Sequence, residues 1–200
     1  MKNSHRKIDK KKKIIRDYNK TASVYDRRYR ELQEEKYKFL LKNYRANGKN
    51  ILDLGCGTGL FFEYIRKSIL DNQEIKCNYT AIDISWNMLL EFQSKFIISE
   101  CLKRTPNLLL SDIEYLPFRD NVFSSIFSIT SFQNLPQLEK GINESFRVSK
   151  SNADFRFSTL KKNLNLKSLF KILNTKITSL KTIETEDLED IILEGRYFKD

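Results

Sequence analysis

The chain holds one histidine, His5, only three cysteines and three prolines, and no apolar run long enough to span a bilayer. The cysteines, Cys56, Cys77 and Cys101, are odd in number and lack CxxC spacing. That pattern excludes a disulfide framework and gives no zinc site, so no metal is expected. A reduced, cytoplasmic protein is the simplest reading. The N-terminal "MKNSHRKIDKKKKIIRDYNK" is basic, but no apolar segment follows it, so it does not read as a secretory signal. What is present suits one globular domain with a short appendage: 200 residues, 40% of them hydrophobic and 31% charged.

The formal net charge is +10. Much of it lies at the N-terminus, where Lys2, Arg6, Lys7, Lys10, Lys11, Lys12, Lys13, Arg16 and Lys20 face only Asp9 and Asp17. Such a run can steer a protein to RNA or to an anionic membrane surface. It is equally the pattern of a solvated tail, since a basic run alone specifies no partner.

Residues 1–12 read as disordered. From Ile14 to Tyr44 the apolar spacing is helical, with a break expected near Thr21–Ser23 and an end at Asn47-Gly48. Strands and helices then alternate. "NILDLG", "NYTAID", "NLLLSD", "FSSIFSIT" and "DFRFSTL" read as strands. "LFFEYIRKSIL", "SWNMLLEFQSKFIISECLKR" (with Ser85 as N-cap), "LEKGINESFRVS" and "LKSLFKIL" read as helices. "KITSLKTIE" and "IILEGRYF" close the chain as two strands. This βαβ progression implies an α/β fold, a mostly parallel sheet with helices on both faces. The last connection, "TEDLED", is too short for a crossover helix, so the final strand runs antiparallel to its neighbours. Residues 1–48 form a basic tail and cap helices, and residues 49–200 one domain.

In open α/β sheets ligands bind beyond the carboxyl ends of the strands. The first strand runs into "ILDLGCGTGL", with Gly55, Gly57 and Gly59 inside five residues. Glycines there let a ligand lie against bare backbone. The spacing is G-x-G-x-G, not the G-x-G-x-x-G of dinucleotide folds, and no phosphate-binding Lys-Ser/Thr pair follows. The second strand ends at Asp83, about where a ribose-binding acid is expected. The third leads to Asp112, placed to accept from an exocyclic adenine amine, with Ile113 offering an apolar face. Each signal has an ordinary alternative: a tight turn, a helix cap, a turn-forming Asp at a strand exit. Their order at three successive strand ends joins them into a nucleoside clamp.

Four stretches, "ILDLGCGTGLF", "AIDISWNML", "SDIEYLPFRDNVFSSIFSI" and "NESFRVSK", together with "YNKTASVYDRRY" at the N-terminus, resemble the small class I S-adenosylmethionine-dependent methyltransferases. The resemblance covers most of residues 18–160. It implies a Rossmann-like seven-stranded sheet with a reversed last strand, S-adenosyl-L-methionine as cofactor, and methyl transfer by in-line displacement. By that resemblance Gly55, Gly57 and Gly59 hold the methionine part of the cofactor, with Cys56 filling a small slot among them. Asp53 helps orient its ammonium, and Asp83 takes the ribose with Ile84 beside the adenine. Asp112 and Ile113 take the adenine amine and ring. Ser128 to Ser131 line the floor beneath the sulfonium, and Tyr18 and Tyr25 close the lid.

The departures bear on the chemistry. Ala81 replaces the usual glycine before the ribose acid. "KSNADF" replaces a Pro-Gly-Gly turn, with Asn152 expected in the left-handed conformation. Gln133-Asn134 stands where many relatives have a histidine pair, so no histidine base is expected. Gln133, Asn134 and Tyr25 are left to orient an acceptor. The resemblance leaves that acceptor open among RNA, protein and a quinone or lipid-like molecule. Only Lys161 to Asn174 is available as a cap between strands five and six. That thin cap suits an open site, or one shared with an activator or other partner protein. Two other readings follow: a non-catalytic subunit that keeps the fold and binds RNA or a partner enzyme, and a nicotinamide dehydrogenase. The G-x-G-x-G spacing and reversed final strand argue against the second.

Overall fold

The computed structural model describes residues 2–70, 76–97, 105–162 and 166–199. The strands are β1 (Asn50–Leu54), β2 (Asn78–Asp83), β3 (Asn107–Leu110), β4 (Phe123–Ile129), β5 (Ser149–Leu160), β6 (Ile177–Ile183) and β7 (Asp190–Tyr197). They form one seven-stranded sheet in the order β3-β2-β1-β4-β5-β7-β6. Pairings from β3 through β5 are parallel, and β7 runs antiparallel to both β5 and β6. The short acidic connection forces this reversal, as its length predicts.

The helices are α1 (Lys2–Leu40), α2 (Leu60–Ile65), α3 (Trp86–Ile97), α4 (Leu138–Val148) and α5 (Leu166–Leu173). Alternation along the strands builds a core on each face. Leu52 and Leu54 of β1 meet Ile142 and Phe146 of α4 and Leu169 and Leu173 of α5. Ile51 and, from β4, Phe127 point the other way, into Tyr37 and Leu40 of α1, Phe61 of α2 and Phe92 of α3. Continuous apolar strands are what two covered faces require.

Local signals explain most boundaries. Ser85 caps α3 by accepting from the Met88 N–H at 3.2 Å. Asn152 has φ 65°, as expected, and lies where β5 carries extra residues against β4 between Phe123 and Ser125. Ordered structure here begins earlier than expected, so β5 starts at Ser149. The helix after the glycine loop leaves α-geometry at Arg66 and continues as a π-helical turn, Arg66–Leu70. The expected end of α3 near Arg104 lies outside the described residues, as does Cys101.

The N-terminus differs from the sequence expectation. Residues 2–12 are helical, and no break occurs at Thr21–Ser23: α1 is one helix of 39 residues. Thr21 stays in register by donating its hydroxyl to the Asp17 carbonyl at 3.1 Å. The helix is held from below along its whole length. Lys11 reaches Asp112 and Glu114, and Asn19 binds Ser85 and Asn87. Asp26 meets Thr58 and Lys95, and Lys36 pairs with Asp190 at 2.9 Å. Tertiary contacts of this kind override weak local propensity. Among the described residues no helix is long and apolar enough to cross a membrane.

Candidate functional site

The cleft lies across the carboxyl ends of β1 to β4, and α1 roofs it. Its walls come from the glycine loop, Asp83 and Ile84 after β2, Asp112 and Ile113 after β3, Ile129 to Ser131 after β4, and Lys11, Ile14, Tyr18 and Tyr25 from the roof.

The three loop glycines serve different ends. A Cβ on Gly59 would lie 2.3 Å from the Phe92 ring, so this glycine lets α2 start tight against α3. A Cβ on Gly55 would meet Ser131 Cβ at 2.6 Å. Gly57, at φ 55°, has nothing within 4 Å of that position, so its open side faces the cleft. Gly59 is not among the residues bordering the cleft.

Asp83 binds the loop from below. Its Oδ2 accepts from the Gly57 N–H at 2.9 Å and its Oδ1 from the Ser85 N–H at 2.8 Å. Burial raises its pKa, while the N–H groups of Ser85, Gly57 and Ile84 act in the opposite sense. Each oxygen keeps acceptor capacity toward the cleft. Ile84 and Ile113 form an apolar slot beside it, with Met88.

Asp112 and Glu114 form the far end. Asp112 Oδ1 accepts from the Glu114 N–H at 2.9 Å, and Lys11 Nζ sits on Asp112 Oδ2. The same ammonium donates to Glu114 Oε2 at 2.6 Å. Burial works against the Lys11 charge, but the two carboxylates outweigh it and raise its pKa.

The opposite end is a small annex behind the glycine loop, lined by Asp53, Cys56, Thr58, Gln33 and Tyr37, with Tyr25 shared between the two spaces. Asp53 is fully enclosed and accepts from the Tyr79 hydroxyl at 2.7 Å. Burial pushes its pKa up to about 7; the Tyr79 hydrogen bond opposes this and the nearby Asp83 charge adds to it. The Cys56 thiol is raised well above its ordinary value by burial and by Asp83 and Asp53, which leaves it inert.

At the β4 end the pair Gln133-Asn134 splits. Asn134 faces the cleft and donates to the Tyr18 hydroxyl oxygen at 2.9 Å. Gln133 turns away: its Oε1 accepts from the Leu160 N–H at 2.8 Å and from Thr159, tying the loop to β5. Ser128 is buried and bonded to Ser131, so Ile129, Thr130 and Ser131 form the floor and Ser128 lies behind it. Tyr18 and Tyr25 are both raised by burial. Their phenols stay protonated; each oxygen accepts an amide N–H, from Asn134 and Gln33 respectively, and each keeps its hydroxyl hydrogen to donate. Among the described residues, no group of three or more His, Cys, Asp or Glu side chains could hold a metal ion.

Sequence reasoning did not single out Lys11, Asn19 or Gln33. The missing signal was helical phase. Positions 11, 14, 18, 22, 25, 33, 36 and 40 fall on one face only when α1 is read without a break.

Comparisons with known proteins bear on the family and the fold. A family model described as "Methyltransferase domain" matches residues 52–157. The chain is similar to the malonyl-[acyl-carrier protein] O-methyltransferase of Buchnera aphidicola, 34% identical over 75% of this chain and 55% of that protein. It is 30% identical to the enzyme of that name from Pectobacterium atrosepticum, over 75% of this chain and 54% of that one. The chain thus spans about half the length of these curated relatives. Among solved structures it resembles the magnesium protoporphyrin IX methyltransferase of Synechocystis PCC 6803, determined with bound S-adenosylmethionine. That match has TM-score 0.69 and 17% identity, covering 94% of this chain and 97% of that one. A Haloferax volcanii methyltransferase in complex with its Trm112 activator matches with TM-score 0.72 at 15% identity, covering 93% and 98%.

Proposed function

The chain belongs to the methyltransferase-domain family of S-adenosylmethionine-dependent enzymes, and from that premise we propose that its cleft holds this cofactor and that residues 1–48 serve as its lid. One observation carries the assignment of residues: Gly57, Asp83 and Asp112 follow one another along a single roofed cleft, with the Ile84–Ile113 slot between the last two. In this reading Asp83 accepts from the ribose hydroxyls, Asp112 accepts from the adenine amine, and Ile84 and Ile113 sandwich the ring. The bare backbone at Gly57 lies along the amino-acid chain, and Asp53 attracts the ammonium. The cofactor supplies an electrophilic methyl group on sulfonium sulfur. The chain supplies alignment and exclusion of water, which together lower a displacement barrier by about 7–11 kcal/mol in favourable cases.

We further propose that the acceptor is the free carboxylate of a dicarboxylic acyl group whose other carboxyl is held on a carrier as a thioester. Two features support this. The curated relatives named above act on malonyl-[acyl-carrier protein]. The acceptor end of the cleft also offers donors, the protonated phenols of Tyr18 and Tyr25, with Asn134 holding the Tyr18 oxygen so that its hydrogen is left to donate. A carboxylate arrives already anionic, so it needs donors to align it and no base to deprotonate it. The oxygen–methyl bond forms as the carbon–sulfur bond breaks, with the electron pair leaving on sulfur.

Calorimetric titration with S-adenosylmethionine tests the cofactor assignment, and Asp83→Ala is expected to weaken binding tenfold or more. Labelled methyl transfer to malonyl-carrier protein, to total RNA and to lipid extract tests the acceptor. Label entering RNA or lipid alone overturns the carboxylate reading. Tight cofactor binding without transfer to any fraction would favour a non-catalytic subunit.

A further inference from the structure

Gln33 projects from the underside of α1 into the annex that also holds Asp53, and the residue is 6% exposed. Its amide nitrogen donates to the Tyr25 hydroxyl oxygen at 3.3 Å. Its Oε1 is buried and has no hydrogen-bond partner. A buried amide oxygen without a donor costs free energy on the order of 1–3 kcal/mol, so it marks a place where a donor belongs. The annex joins the main cleft at Gly55, Gly57, Tyr25 and Ile129, so it continues the cleft past the glycine loop. Among the polar side chains lining it, two present acceptors from opposite sides: Gln33 Oε1, unpartnered, from the roof and the Asp53 carboxylate from β1, beside the hydroxyls of Tyr25, Tyr37 and Thr58. Two acceptors around one small space suit a cationic group with several N–H donors.

We propose that Gln33 is a positioning residue that accepts a hydrogen bond from the ammonium at the amino-acid end of the bound cofactor, and so makes closure of the lid helix depend on that ammonium. The proposal rests on the cofactor assignment above and adds a function for the lid. Asp53 belongs to the sheet and is fixed; Gln33 belongs to α1 and moves with it. Through its other end the same amide holds the Tyr25 oxygen as an acceptor, leaving the phenolic hydrogen free to donate into the cleft. Recognition of the ammonium and orientation of Tyr25 thus share one side chain.

Calorimetry on the intact chain with three ligands tests this. S-adenosylmethionine carries ammonium and carboxylate, its decarboxylated form keeps only the amine, and 5′-methylthioadenosine lacks both. Gln33→Leu is expected to weaken the first two by about tenfold, as loss of one charge-assisted hydrogen bond implies, and to leave the third unchanged. Unchanged binding of 5′-methylthioadenosine also reports that the variant is folded. Equal loss on all three ligands overturns the proposal in favour of plain lid packing. Loss on S-adenosylmethionine but not on its decarboxylated form overturns it in favour of a carboxylate contact. No loss on any ligand overturns it outright. Gln33→Asn, which keeps the amide but withdraws it by one methylene, is expected to rank the ligands in the same order. If the unmutated chain binds none of the three, it is the cofactor assignment that fails.

Discussion

At the scale of single residues, the glycine loop separates packing from binding. A Cβ on Gly59 collides with the Phe92 ring, whereas one on Gly57 enters open space. Gly59→Ala is therefore expected to lower unfolding stability by about 2–3 kcal/mol through strain and overpacking. Gly57→Ala is expected to cost about 1–2 kcal/mol for its positive φ and to impair cofactor binding more than stability. Denaturant melts beside calorimetric titration separate the two. Asp53 gives a pH signature. Its folded pKa of about 7 exceeds the ordinary 3.8, so between those values the native state binds more protons than the unfolded one. Stability then falls as pH rises through that window, by up to about 1.4 kcal/mol per pH unit from this group. Asp53→Asn keeps an acceptor for Tyr79 and is expected to flatten the loss between pH 5 and 7 by about 2 kcal/mol, read from urea midpoints in the ligand-free protein. The loop and its two acids were legible in the sequence because strand ends are marked by residue type. The split between Gln133 and Asn134 was not, since neighbouring amides differ only in where the fold points them.

At the scale of elements, the strands were legible and α1 was not. β1, β2 and β4 are apolar runs bounded by polar residues, and that pattern needs no tertiary information. In α1 the inward positions include Lys11 and Lys36, whose partners Asp112 and Asp190 lie far away in sequence, and Gln33, which meets Tyr25 on the same helix. Their charge and polarity made the inward face look like solvent face. Lys36 is the clearest instance: its ammonium is nearly enclosed, bonded to Asp190 and to Thr130 Oγ1 at 2.9 Å, while Asp190 also accepts from Thr130 and Ser158. Lys36→Met leaves a buried carboxylate without its cation and is expected to cost about 3–5 kcal/mol in denaturant unfolding; pairing it with Asp190→Leu is expected to recover much of that. The exposed Lys38–Glu35 pair on the same helix is the control, and its removal is expected to leave the unfolding midpoint nearly unchanged.

At the scale of the whole molecule, a +10 chain places Arg6, Lys12, Lys13, Arg16, Lys20 and Arg27, all exposed, on the outward side of the lid, above the cleft. The basic run noted in the sequence is thus part of the roof, and its inner members are committed to the fold. An anionic macromolecular acceptor is expected to meet a lid of opposite charge. Its KM should rise severalfold with added salt, while cofactor affinity, set inside the cleft, moves much less. Steady-state kinetics across a salt series checks this. The reversed seventh strand has a consequence for how the chain is made. Asp190 opens β7 and anchors Lys36, so one fastening of the first helix waits for a segment made about 150 residues after it. During synthesis the contacts of Lys11, Asn19 and Asp26 with the first half of the sheet can form early, while the Lys36 end of the helix stays unfastened until β7 arrives.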